Sequence, residues 1–118
     1  MADASPSTDC LFCRIAAGEV AATLVRETER LVAFRDIDPK APTHVLVVPR
    51  AHHAAVGDLA AADPQTLAEL VREAAAVAAD DGHEDFRLVF NTGAGAGQSV
   101  FHVHAHVLAG RPLSWPPG

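Results

Sequence analysis

Near the end of the chain, His102, His104 and His106 fall at every second position, with Val103 and Ala105 between them and Val107 after. Alternate side chains of a β-strand share a face. The spacing therefore predicts a strand that shows three imidazoles on one side and sends Val103, Ala105 and Val107 into a core. A helix would splay the same three around its axis. Imidazole is the side chain whose ordinary pKa lies nearest neutrality, so the row points to nucleophilic or acid–base work, metal binding, or both. At about 3.3 Å per residue the outer Cα atoms lie roughly 13 Å apart, against a zinc–nitrogen bond of about 2 Å, so one ion cannot easily take all three. Solvated histidines on an edge strand would be the plain alternative for an isolated row.

The row is not isolated. Asn91-Thr92-Gly93-Ala94-Gly95-Ala96-Gly97-Gln98-Ser99 precedes it. Glycines at alternate positions free the backbone for positive φ and let a ligand approach the amides, and successive exposed amides make an anion-binding concavity. The segment is no P-loop, because no Gly-Lys-Ser/Thr follows, and no dinucleotide fingerprint, because a strand-like pattern rather than a helix comes next. An ordinary hairpin connection would also use such glycines. Its direct attachment to the histidine row through Gln98 and Ser99 sets phosphate-binding amides beside candidate nucleophiles.

Cys10-Leu11-Phe12-Cys13 is the second chemical signal. The spacing is open to three explanations: half of a zinc site, a redox pair, or coincidence. The strand that leads into a thioredoxin-like redox motif is missing.

The elements that must position these residues have an α+β order. A short helix is expected over 11–17, stopped by Gly18, and strands over 23–28, 30–36 and 44–49. A long helix begins with Asp63 as N-cap and Pro64 at its first position. It carries Leu67, Leu70, Val71, Ala74, Val77 and Ala78 at helical spacing as far as Gly82. Two strands, 86–91 and 100–108, flank the glycine-rich loop. There is no internal repeat, and the alanine-rich stretches are helix formers.

With 118 residues, 12.3 kDa, the chain is one domain by length, small enough for oligomerisation to help bury surface. A net charge of −6 argues against nucleic-acid polymers and acidic membranes as partners. No apolar run approaches the roughly 20 residues of a spanning helix, and the start lacks a secretory pattern, so the expected location is cytoplasmic. Residues 1–9, small and polar, are expected to be loosely ordered ahead of one domain over 10–118.

Gln98-Ser99-Val100-Phe101-His102-Val103-His104-Ala105-His106-Val107-Leu108 resembles the signature of the histidine triad (HIT) superfamily. Asp36-Ile37-Asp38-Pro39-Lys40-Ala41-Pro42-Thr43-His44, Val47-Val48-Pro49-Arg50 and the terminal Trp115-Pro116-Pro117-Gly118 follow the order of its nucleotide-binding branch of small phosphoramidases. The resemblance implies a five-stranded antiparallel sheet with one long and one short helix, joined in a homodimer into a continuous ten-stranded sheet. It also implies hydrolysis of purine nucleoside phosphoramidates, AMP and GMP derivatives among them, with no cofactor needed for catalysis. Such a reaction needs a nucleophile for phosphorus, donors for its oxygens and a proton for the departing amine.

His104, in the middle of the row and opposite the loop, is the expected nucleophile. His106 would hold the phosphate oxygens, Ser99 would touch the phosphate and help protonate the amine, and by resemblance His44 would support the nucleophile. The amides of Gly97, Gln98 and Ser99 and the Asn91 side chain would bind phosphate. Asp36 would take the ribose hydroxyls, with Ile37 beside it, and Leu11, Phe12, Ile15, Phe34 and Leu46 would form the base slot. Many bacterial relatives join the two cysteines to two histidines in a tetrahedral site, which here implies Cys10, Cys13, His52 and His102 around a structural zinc, with His53 an alternative ligand.

His83 is expected to be solvated. The Trp115 tail, stiffened by three prolines, is expected not to fold back tightly, and the resemblance sends it toward a partner's site. Ala105, Ala109 and Ala94-Gly95-Ala96 depart from the family's usual residues. Competing functions are dinucleoside polyphosphate hydrolysis or nucleotidyl transfer by the same nucleophile, a non-catalytic nucleotide-binding protein, and a purely metal-binding one.

Overall fold

The computed structural model describes residues 9–118. The expectation of a loose leading segment therefore lies, Asp9 apart, outside the described residues. Elements run α1 (Leu11–Ala16), β1 (Leu24–Glu27), β2 (Leu31–Arg35), β3 (Thr43–Pro49), α2 (Val56–Ala62), α3 (Pro64–Asp80), β4 (Arg87–Val89) and β5 (Ala105–Ala109). A single 3-10 turn spans Ala94–Ala96. The five strands form one antiparallel sheet in the order β1-β2-β3-β5-β4.

The alternation of side chains gives the sheet two different faces. On one, Leu31, Ala33, Val45, Val47, Val103, Ala105 and Val107 pack against Leu70, Ala74, Val77 and Ala78 of α3. The other is covered only in part: Val32, Phe34, Leu46 and Val48 meet Phe12 and Ile15 of the six-residue α1, and the uncovered remainder holds the site. Helix α3 starts as the sequence predicts. Asp63 Oδ1 accepts from the Thr66 amide at 3.1 Å, with Pro64 at the first helical position.

Two expectations need correction. Among the described residues there are three α-helices, since α2 was not foreseen. It has seven residues, includes Gly57 and buries only Leu59, too little for a periodic signal; Asp58 secures its start by accepting from the Ala55 amide at 3.1 Å. The histidine strand begins at Ala105 rather than at residue 100. Upstream, backbone groups are bonded off the ladder: the Val100 carbonyl accepts from the Gln98 side chain, and the Val103 amide donates to the His53 carbonyl. The two-sided pattern survives, with Val103, Ala105 and Val107 buried towards α3.

The C-terminal helix end is tied to the sheet by one carboxylate. Asp81 accepts from both terminal guanidinium nitrogens of Arg35, at 2.6 and 3.0 Å, and from the Thr43 hydroxyl at 2.7 Å. The same Thr43 oxygen lies 3.0 Å from His83 Nε2, so His83 belongs to this network and is not merely solvated.

Candidate functional site

Register assembles the site from three strands. Phe34 of β2 lies opposite Leu46 of β3, which lies opposite His106 of β5. His44, paired with Leu108, is therefore a diagonal neighbour of His106. Leu11, Phe12 and Ile15 of α1 face this row, and with Ala21, Ala22 and Val100 they close a cleft of about 310 Å³. Asp36, Ile37, Ser99, His104 and His106 line it too, so every expected base-slot residue shares one cavity with the expected nucleophile. Ala21, Ala22, Arg35 and Val100 were not anticipated there; the two alanines, small residues in a connection, carry no chemical signal.

The hydrogen bonds assign the tautomers. Nδ1 of His104 lies 2.9 Å from the carbonyl oxygen of His102. A carbonyl only accepts, so Nδ1 holds a proton, and in the neutral ring the lone pair is on Nε2. The Lys40 amide donates to Nδ1 of His44 at 3.0 Å, which puts the His44 proton on Nε2, 2.9 Å from Nδ1 of His106. His106 therefore accepts there and presents an Nε2–H donor. Burial holds His106 down to about 4, helped by the neighbouring His104 and His44 rings. Burial likewise lowers His44, although Asp36, 3.4 Å from its Nε2, pulls the other way. Asp36, His44 and His106 are close enough to suggest an ion site, but the nitrogen such an ion would need is a proton donor. The Lys40 amide, His44 and His106 form a hydrogen-bonded chain, with the Asp36 carboxylate beside it. The role of the Lys40 main chain left no trace in residue types.

The glycine loop differs from its expected use. The Gly97 amide donates to the Ala94 carbonyl at 3.0 Å and the Gln98 amide to Gly93 at 3.1 Å, so two of the three expected phosphate amides are already engaged. The buried Gln98 side chain clamps the loop, accepting from the Gly93 amide and donating to the Ala54 and Val100 carbonyls. Ser99 stays exposed at the mouth of the slot.

Cys10, Cys13, His52 and His102 converge. His102 Nδ1 lies 3.3 and 3.4 Å from the two sulfurs and 3.1 Å from His52 Nδ1, and Cys13 Sγ lies 3.3 Å from His52 Nδ1. Zinc bonds of about 2.0 Å to nitrogen and 2.3 Å to sulfur give tetrahedral edges of about 3.3–3.8 Å, so the donor set fits that ion. His102 Nε2 donates to the Pro49 carbonyl at 2.7 Å, which leaves Nδ1 as the ligating nitrogen. Burial holds this ring down to about 4. The cluster does not include His53, whose ring is buried elsewhere.

A HIT domain family model matches residues 17–113. The chain belongs to the HIT domain family. A 14 kDa zinc-binding protein of Zea mays is 42% identical over 120 residues, covering 98% of this chain and 91% of its own. Purine nucleoside phosphoramidase of Escherichia coli (strain K12) is 37% identical over 107 residues, 89% of this chain and 90% of its own. The crystal structure of a HIT family hydrolase from Legionella pneumophila Philadelphia 1 superposes with a TM-score of 0.89 at 46% identity, over 93% of this chain and all of that one.

In this HIT protein a second cleft, of about 490 Å³, opens on the other side of His106. Asn91 and His44 line it with Lys40, Arg87 and Arg111. The tail does fold back here, against expectation: Arg87 Nη2 bonds the Leu113 and Ser114 carbonyls at 3.3 and 2.9 Å, which brings Ser114 and Pro117 to the cleft wall. Trp115 itself is 82% exposed. No described helix of this HIT chain is long and apolar enough to cross a membrane.

Proposed function

We propose that this HIT-family protein hydrolyses purine nucleoside 5'-phosphoramidates, such as adenosine 5'-monophosphoramidate, through a covalent nucleotidyl-histidine. The observation that carries the proposal is the hydrogen bond from His104 Nδ1 to the His102 carbonyl, which in the neutral ring puts the lone pair on Nε2, inside an apolar cleft. The base lies between Leu11, Phe12, Ile15, Phe34 and Leu46, beside Ile37, and Asp36 takes the ribose hydroxyls. The Ser99 amide and Asn91 hold the phosphate against the turn that ends in Gly97 and Gln98.

Nε2 of His104 attacks phosphorus and the phosphorus–nitrogen bond breaks with its electron pair going to the amine. The proton for the amine comes through Ser99, and Nε2–H of His106 stabilises the phosphoryl oxygens. His44 fixes the His106 tautomer. Water then attacks the phosphorus of the intermediate, its proton replacing the one that Ser99 passed to the amine; the phosphorus–Nε2 bond breaks with its electron pair returning to His104, and the nucleoside monophosphate leaves. Cys10, Cys13, His52 and His102 hold a structural zinc. The working form is a cytoplasmic homodimer with a ten-stranded sheet, and its partner is a small-molecule nucleotide rather than a nucleic acid or a membrane.

A second substrate class is favoured by one observation. Arg87 and Arg111 pair with no carboxylate among the described residues, yet line the cleft beyond His106. Cations there suit an anionic leaving group, as a dinucleoside polyphosphate supplies. Comparing kcat/KM for adenosine 5'-monophosphoramidate and diadenosine tetraphosphate separates the two. The proposal predicts a preference of at least about tenfold for the former, and the reverse preference would replace it. Equal rates for the parent and His104→Ala on both substrates would leave only nucleotide binding.

A further inference from the structure

The Cys2His2 cluster and the nucleotide slot share two pieces of chain. Helix α1 sends Cys13, together with its N-cap Cys10, into the cluster, while Leu11, Phe12 and Ile15 of the same helix wall the slot. His102 gives Nδ1 to the cluster and its carbonyl oxygen to Nδ1 of His104, so one residue is both a cluster donor and the acceptor that orients the nucleophile. Phe12 bridges the two sites, with its ring edge-on to His104 at 5.0 Å and to His102 at 6.1 Å between centroids.

Six residues are too few for a helix to persist alone. The N-cap of α1 is itself the Cys10 sulfur, which accepts from the Cys13 amide at 3.4 Å. What fixes α1 on the sheet is therefore the packing of Phe12 and Ile15, the Arg50 Nη1 bond to the Ala16 carbonyl at 2.8 Å at its far end, and the convergence of the four donors at its start.

We infer that occupancy of the Cys10–Cys13–His52–His102 cluster by a divalent ion sets the nucleotide affinity of the neighbouring slot, with His102 as the positioning residue that joins them. An ion holds both sulfurs and both rings, and so holds the slot wall and the carbonyl to which His104 is bonded. Without it, two sulfurs and two ring nitrogens at 3.1–3.4 Å lose their common partner, and the wall and the carbonyl lose their restraint. The ion never touches the nucleotide. The inference rests on the proposal that the slot binds a purine nucleotide, and it differs from a purely stabilising metal in predicting coupling between two binding equilibria.

Binding coupling is reciprocal, so the test can run in both directions. AMP affinity is measured by calorimetry on the full chain, zinc-loaded and after chelation, at a temperature where circular dichroism finds both folded. The metal-free protein should bind AMP about tenfold or more weakly. On the loaded protein, zinc transfer to a chromogenic chelator with and without saturating AMP should give a zinc affinity raised by the same factor. Cobalt(II) in the cluster should change its visible absorption when AMP binds. His52→Ala should lose AMP affinity and His52→Cys, which keeps four donors, should restore it.

Equal AMP affinity with and without metal, or a zinc affinity indifferent to AMP, would overturn the inference and leave the proposed function standing. If the chelated protein unfolds, the zinc-transfer and cobalt measurements on loaded protein decide. Failure of the loaded protein to bind AMP at all would overturn the nucleotide site and this coupling together.

Discussion

Nε2 of His44 lies 2.9 Å from Nδ1 of His106, and the Lys40 amide, donating to the opposite nitrogen of His44, decides which ring holds the shared proton. The result is an Nε2–H on His106 that can donate to a bound phosphoryl group. Both rings must be neutral for this arrangement.

The pH dependence follows from that requirement. His106 is held down to about 4, below the ordinary value near 6.5, so in that interval the unfolded chain takes up protons that the folded one refuses. Stability tied to the neutral ring is complete above about pH 6.5 and disappears as pH falls through about 4. His44 acts in the same direction. The melting temperature should fall between pH 6.5 and 4, and His106→Asn should flatten part of that fall. Long-range proton–nitrogen spectra should find His44 and His106 as Nε2–H tautomers at pH 7, with His106 titrating near pH 4. A His106 titrating at its ordinary value would remove the hydrogen-bonded chain.

Asp81 acts behind the site. It grips Arg35 and Thr43, each one residue before Asp36 and His44, whose backbones are joined by the Asp36 amide to the His44 carbonyl at 2.9 Å. The Arg35 guanidinium holds the Asp81 carboxyl down to about 2, with the Thr43 hydroxyl assisting. This stability is present above the ordinary carboxylate range and lost as pH falls towards 2. Because the pair is partly exposed, Asp81→Asn should cost only about 1 kcal/mol at pH 7, roughly 3–6 °C in a melting scan. The deficit relative to the parent should shrink below pH 3, and a deficit independent of pH would contradict the assignment.

Gly110 shows the backbone holding the strand end beside the site. Its φ is +96°, and an added Cβ would sit 2.9 Å from Pro42 Cβ and 3.3 Å from His83 Cε1. Gly110→Ala combines left-handed strain with a clash against the segment leading into His44, and should lower stability by about 2 kcal/mol or more. Urea unfolding measures it, and a loss under about 0.5 kcal/mol would mean that the chain relaxes freely there.

Much of this was legible in residue order. Alternation at residues 102–107 foretold which side chains face the core, and Asp63-Pro64 marked the start of the long helix, because both signals are local and periodic. Cys10, Cys13, His52 and His102, which the family resemblance grouped, do come together. Other features depend on contacts that no local pattern encodes. The irregular stretch before Ala105 exists because Gln98 and His53 claim its backbone groups, and engagement of the Gly97 and Gln98 amides follows from the 3-10 turn. Helix α2 was too short to register. The folded-back tail depends on Arg87, some 26 residues upstream, reaching the Leu113 carbonyl.

The central claim is that the lone pair on His104 Nε2 attacks phosphorus. Protein mixed with adenosine 5'-monophosphoramidate, quenched during turnover and digested for mass spectrometry, should carry an adduct of adenylyl mass on the peptide containing His104. The adduct should be absent from His104→Ala, whose turnover should fall by about 10⁴-fold or more. Full turnover with no adduct on that peptide, or an adduct that persists in His104→Ala, would contradict the account.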